Sequence, residues 1–135
     1  MMPAERLAAL AGRWRTLRAL RHSDGTRARF EGESVWAADG ALLRCTEAGE
    51  LEQGGQRFPA RRETLWRATP QAIEVLFGDG RPFHAIGDAP ALHHCAPDTY
   101  ALRYDFTLWP RWSVRWHVTG PRKSYRATTR YAPIR

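Results

Sequence analysis

Apolar and polar residues alternate with period two along most of the chain. In WSVRWHVT (112–119), Trp112, Val114, Trp116 and Val118 share one face, and Ser113, Arg115, His117 and Thr119 share the other. YALRYDFTL (100–108) groups Tyr100, Leu102, Tyr104, Phe106 and Leu108 against Arg103 and Asp105. RARFEGESVW (27–36) sets Phe30, Gly32, Ser34 and Trp36 against Arg29, Glu31 and Glu33, and QAIEVLF (71–77) groups Ile73, Val75 and Phe77. One apolar and one charged face per segment predicts antiparallel strands with one buried side. Only PAERLAALA (3–11) reads as a helix: Leu7 and Leu10 are three apart, the alanines favour helix, and Gly12 stops it.

Turn signals separate the strands. They fall at SDG (23–25), ADG (38–40), EQGG (52–55), TPQ (69–71), GDG (78–80), GDAP (87–90), APD (96–98), WPR (109–111) and GPRK (120–123). Asp-Gly pairs supply the positive φ of tight hairpins, and Pro fixes corners. About ten strand-length pieces result. A flat sheet of that many strands would curl, and its edges would invite aggregation. Closure into an up-and-down antiparallel β-barrel removes the edges, and short turns favour sequential neighbours. A β-sandwich is the rival. The 135 residues suit one domain, residues 1–135, with a short N-terminal helix.

The segment GRWRTLRALR (12–21) places Trp14, Thr16 and Leu20 on the inward face. Arg18 falls on that face too and does not fit it. Either Arg18 reaches a pocket group or rim water, or the strand carries a bulge.

Composition changes this picture little. The net charge is +7 and the pI about 10.4. Lys123 is the lone lysine among 21 basic residues, and the arginines run from Arg6 to Arg135. Spread in this way, they read as a solvated outer face, which disfavours a nucleic-acid partner. No apolar run is long enough for a membrane-spanning helix, and the N-terminus does not read as a signal peptide, so a cytoplasmic location is the expectation. Cys45 and Cys95 read as free thiols.

Gly12-x-Trp14 opening the first strand after a short helix is similar to the start of lipocalins and other calycins. More specifically, GRW (12–14), FEGE (30–33), LWR (65–67), DGRPFH (79–84), CAPDTYALRYDF (95–106) and WHVTGPRKSYR (116–126) resemble a small bacterial family of lipocalin-like domains of unknown function. That resemblance implies a lipocalin-like barrel and supplies no activity. In the wider superfamily the tryptophan closes one end and an arginine from the last strand packs on it, which implies Arg130 here, with Arg126 as the alternative. The layout is also similar to nitrobindin-type barrels, which hold haem through a histidine.

The candidate site is the lumen, which in a barrel of this size can enclose one small ligand. Its expected lining is Arg18, Trp36, Trp66, Phe77, His84, His93, Tyr100, Tyr104, Trp116 and Tyr125. Such rings, with indole and hydroxyl donors, suit a planar or amphipathic molecule; the competing reading is that they fill a core. His84, His93 and Cys95 fit zinc or haem by ligand type, but their spacing matches no metal motif, and no cofactor is expected. Asp98 either caps its turn or pairs with an arginine. Arg122 and Lys123 set positive charge at one rim, with Arg81 and Arg111 if those turns share that end. No Ser-His-Asp order, paired carboxylates or Cys-His motif appears. The expected function is binding of a small hydrophobic or amphipathic ligand. The alternatives are an isomerase or cyclase using His84 and a pocket tyrosine, and a haem-binding barrel.

Overall fold

Gly12 adopts a φ of +128°, a conformation that L side chains rarely take. There the chain leaves helix α1 (Pro3–Leu10) and enters strand β1 (Gly12–His22). The computed structural model describes residues 1–87, 90–122 and 124–134. The remaining strands are β2 (Arg27–Asp39), β3 (Leu42–Gln53), β4 (Gln56–Ala68), β5 (Ile73–Phe77), β6 (Pro82–Ile86), β7 (Ala91–Cys95), β8 (Asp98–Asp105), β9 (Trp112–Thr119) and β10 (Ser124–Pro133).

They form one ten-stranded sheet in the order β6-β5-β4-β3-β2-β1-β10-β9-β8-β7. Every ladder is antiparallel, and β1 pairs with β10 as well as β2. The expected all-β, up-and-down, lipocalin-like barrel with a short N-terminal helix is thus the observed fold. Closure is nearly complete: β6 and β7 run side by side without a hydrogen-bonded ladder. This seam joins two strands of five residues each.

Strand parity fixes two ends. The turns at 38–41, 69–72 and 106–111 lie at the end that carries α1. The turns at 23–26, 54–55, 78–81, 96–97 and 120–122 lie at the other, open end. Arg81 and Arg122 therefore share a rim, whereas Arg111 sits at the helix end. Lys123, and Asp88 and Ala89 of the GDAP turn, lie outside the described residues.

Trp14 plugs the helix end. It is 4% exposed, and its indole Nε1 donates to the Leu10 carbonyl at 2.8 Å. Its rings meet Trp109 and Trp112. The arginine expected there is a different one. The register sets Trp14 opposite Pro133 and Leu17 opposite Arg130, so Arg130 points outward, as does Arg126. The cation at this end is Arg6 of α1, which lies not on Trp14 but 4.1 Å over Phe106 and 4.9 Å over Trp109, the ring that meets Trp14. Leu108 also departs from expectation: β8 ends at Asp105, so Leu108 sits in the following turn, 77% exposed.

Two glycines let β2 and β3 approach closely. Gly32 and Gly49 are direct cross-strand partners. A Cβ on Gly32 would overlap the Ala48 carbonyl, and one on Gly49 the Glu31 carbonyl. Cys45 is buried and Cys95 exposed, and both are free.

Candidate functional site

The lumen is packed with buried rings near the helix end and lined by half-buried rings toward the other end. Near the helix end, Trp36 and Trp66 meet edge to face at 5.3 Å, and Trp112 stacks on Tyr131 at 3.9 Å. Trp36 and Trp66 are buried. Toward the open end, Phe77, His93, Tyr100 and Trp116 are half-buried and gather around Phe83, with centroids 4.5, 5.2, 6.0 and 5.7 Å away. Tyr125 is also half-buried on the inner face near that rim, against His22.

Between the two groups of rings lies a charged centre. Arg18 is inward-facing with no bulge, and its side chain is 11% exposed. Its Nη1 and Nη2 donate to the Glu47 carboxylate at 2.7 and 2.8 Å, and its Nε donates to Thr129 Oγ1 at 2.7 Å. This bidentate fork is the strong form of ion pair. Arg62 is the direct cross-strand partner of Glu47, and its Nε lies 3.2 Å from Oε1. The Arg62 guanidinium lies 5.0 Å over the Trp116 ring. Burial alone would raise the Glu47 pKa, but the two arginines outweigh it and hold it below the ordinary carboxylate range. Burial likewise opposes the Arg18 charge, and the Glu47 bonds reverse that and raise its pKa.

His84 is 9% exposed, and its Nε2 lies 2.8 Å from the Tyr104 hydroxyl. Burial, then the nearby His93 and Arg62 charges, lower its pKa to about 3. Burial also raises Tyr104 well above the ordinary phenol value and pushes the Cys45 thiol up to about 12. His84, Tyr104 and Cys45 are therefore all neutral near pH 7.

Trp36, Cys45, Glu47, Arg62, His84 and Trp116 line a cavity of about 20 Å³, space for about one water. Three of its lining nitrogens, Trp36 Nε1, Trp116 Nε1 and His84 Nδ1, are buried without a protein hydrogen-bond partner. Buried polar groups are ordinarily paired, so these three nitrogens are available to a polar partner, a water being the smallest. Larger hollows, of about 350 and 520 Å³, lie on the outer face of β8–β10 and are lined by Arg15, Arg111, Arg130 and by Arg103, Arg115, Arg126. The second of them also touches Trp116.

All ten expected lining residues lie on the inner face, at different depths. Sequence reasoning missed Glu47 and Arg62. The signal was present: Glu47 shares the parity of buried Cys45, and Arg62 that of Trp66. His84, His93 and Cys95 do not converge, since Cys95 is exposed; among the described residues no three His, Cys, Asp or Glu side chains are grouped to hold a metal. His117 and Asp105 face out, as expected, with Asp105 bonded to Thr107 at 2.6 Å. Asp98 lies against Gly120, where an added Cβ would meet its carboxylate.

The outer charges are unevenly paired. Ion pairs join Arg13 to Glu33, Arg44 to Asp39 and Glu63, and Arg67 to Glu74 on β1–β5. On β1, β8, β9 and β10, arginine faces arginine: Arg21 opposes Arg126, and Arg103 opposes Arg115.

The family of unknown function DUF6314 matches residues 10–133. The chain belongs to this family. Among solved structures, this DUF6314 barrel is similar to an S-type phycobiliprotein lyase, CPES, from Guillardia theta, with a TM-score of 0.66 and 9% identity over 100% of this chain and 94% of that one. That likeness shows the fold alone. No curated protein matches. No helix is long and apolar enough to cross a membrane among the described residues.

Proposed function

We propose that this DUF6314 protein binds a small, planar, amphipathic molecule among the half-buried rings toward the open end of its barrel. The observation that carries the reading is the set of unpartnered buried nitrogens on Trp36, Trp116 and His84 around one small cavity. Each such group costs about 1–3 kcal/mol when left unpaired; Trp112 Nε1 and Arg6 Nη1 also lack partners, but only these three belong to residues lining this cavity. A ligand acceptor reaching down from the mouth would satisfy them. Its ring system would lie among Phe77, His93, Tyr100 and Trp116, whose partial exposure leaves faces for it. The filled helix end gives the ligand a floor rather than a tunnel. In the Guillardia theta neighbour a barrel of this fold is a lyase, which is consistent with a working cavity.

Native mass spectrometry of freshly purified protein tests this reading. The expected result is a small molecule retained in gentle ionisation and released on unfolding. If none is retained, and planar amphipaths leave the fluorescence of the lumen tryptophans unchanged, the reading fails.

One observation favours a second reading, an isomerase or cyclase. The His84–Tyr104 hydrogen bond sets an imidazole and a phenol side by side on the small cavity, the two group types that proton transfer on a bound molecule would use. On this reading Tyr104→Phe keeps ligand binding and stops its conversion. A variant that leaves conversion intact removes the enzyme reading.

A further inference from the structure

The central charges do not cancel. Among the described residues Glu47 is the one carboxylate at the charged centre, and it serves both Arg18 and Arg62. Arg18 is satisfied: its fork takes both Glu47 oxygens, and its Nε takes Thr129. Arg62 is not. It has Nε on Oε1 at 3.2 Å and a stretched contact of 3.5 Å from Nη2 to Oε2. Glu47 is its only acceptor among the described residues. The other titratable groups lining the cavity, His84, Tyr104, Tyr131 and Cys45, are shifted toward their neutral forms. Two guanidiniums against one carboxylate leave one net positive charge, carried by the half-exposed Arg62 and therefore partly solvated.

Its position matters as much as its sign. Arg62 is 40% exposed and lies over Trp116, at the inner edge of the half-buried rings. The buried Trp116 Nε1 beside it has no partner. The Arg62 guanidinium thus lies over the ring whose buried indole N–H has no protein acceptor among the described residues. A carboxylate suits this arrangement: its two oxygens accept from both donors, and its charge balances the centre.

We propose that the ligand of this barrel is a monoanion, a planar molecule bearing one carboxylate that docks on Arg62 and Trp116. The proposal rests on the ligand-binding reading above and narrows its chemistry. Arg18 and Glu47 are positioning residues: their mutual fork holds Glu47 so that it aims Arg62 inward without consuming it.

A matched pair of fluorescent probes tests this: pyrene-1-butanoic acid and the neutral pyrene-1-butanol, titrated against the full chain. The acid is expected to bind about tenfold or more tightly, corresponding to about 1.4 kcal/mol. In Arg62→Gln the alcohol should bind as before and the preference for the acid should vanish, since Glu47 then has only Arg18. Equal affinity of wild-type protein for acid and alcohol overturns the monoanion proposal while leaving ligand binding intact. Failure of both probes to bind overturns both. The comparison in wild-type protein stands even if the variant does not fold.

Discussion

Arg18 and Glu47 meet in a bidentate ion pair inside the barrel, at 2.7 and 2.8 Å, although they lie on strands separated by β2. Thr129 from β10 holds the same guanidinium, so three strands are fixed to one another by a single side chain. Thr16 and Ser34, bonded to each other at 2.7 Å and fully buried, continue this polar band. The lumen is therefore not a uniform apolar core. An aromatic floor, a charged belt and an aromatic mouth follow one another along its axis.

The pair predicts a strong coupling. Glu47→Leu leaves Arg18 buried without its counter-ion, and such a loss costs about 3–5 kcal/mol. Adding Arg18→Met removes the orphaned charge, while Arg62, being 40% exposed, can turn toward water. The double variant should recover a large part of the loss in urea unfolding. Simply additive losses would show that the two side chains do not depend on each other.

Much of this was legible beforehand, because alternation needs no knowledge of register. Parity placed Trp36, His84, Tyr104 and Trp116 inside, and it singled out Arg18 as an inward charge. What parity lacks is the identity of neighbours. Glu47 and Arg62 carry a correct inward phase, but only the β3–β4 register sets them opposite each other. The Trp14 cation failed for the same reason. The idea of a last-strand arginine depends on register, and Trp14 pairs with Pro133, three residues beyond Arg130. The helix instead brings Arg6 over Phe106 and Trp109, a placement set by how α1 docks and not by any local pattern.

The Gly32–Gly49 approach is required by backbone contact. A Cβ at either position meets a neighbouring carbonyl closer than real Cβ atoms come. Gly49→Ala should cost about 1–3 kcal/mol, the usual penalty for overpacking, measured as a lower urea midpoint. Gly87→Ala is the control, since nothing lies within 4 Å of its Cβ position. Equal effects at both sites would remove the close-approach argument.

Like charges facing each other across the β8–β9 ladder destabilise the sheet. Arg103 opposes Arg115, while the remaining partner of Arg115 is the uncharged Thr128. Arg115→Glu should raise the melting temperature at low salt, and the gain should shrink as added salt screens the pair. A gain that is independent of salt would point to a cause other than charge.

His84 makes the fold sensitive to mild acid. Its folded pKa is about 3, lowered chiefly by burial, against roughly 6.5 in an unfolded chain. Below pH 6.5 the unfolded state takes up a proton that the folded state refuses. The stability contributed by the neutral imidazole is thus fully present above pH 6.5. It declines as pH falls from there toward 3, by roughly 1.4 kcal/mol per unit for one group. Between pH 7 and 5 the expected loss is about 2 kcal/mol, ahead of Glu47, whose depressed pKa makes its contribution fall only at lower pH. Urea midpoints at pH 7 and 5 measure this in wild-type protein and in His84→Gln, where the amide keeps a polar partner for Tyr104 and does not titrate. The variant should show a flattened pH dependence over this window. An unchanged slope would mean that His84 already shares its proton in the folded state, and that its bond to Tyr104 is made by an imidazolium.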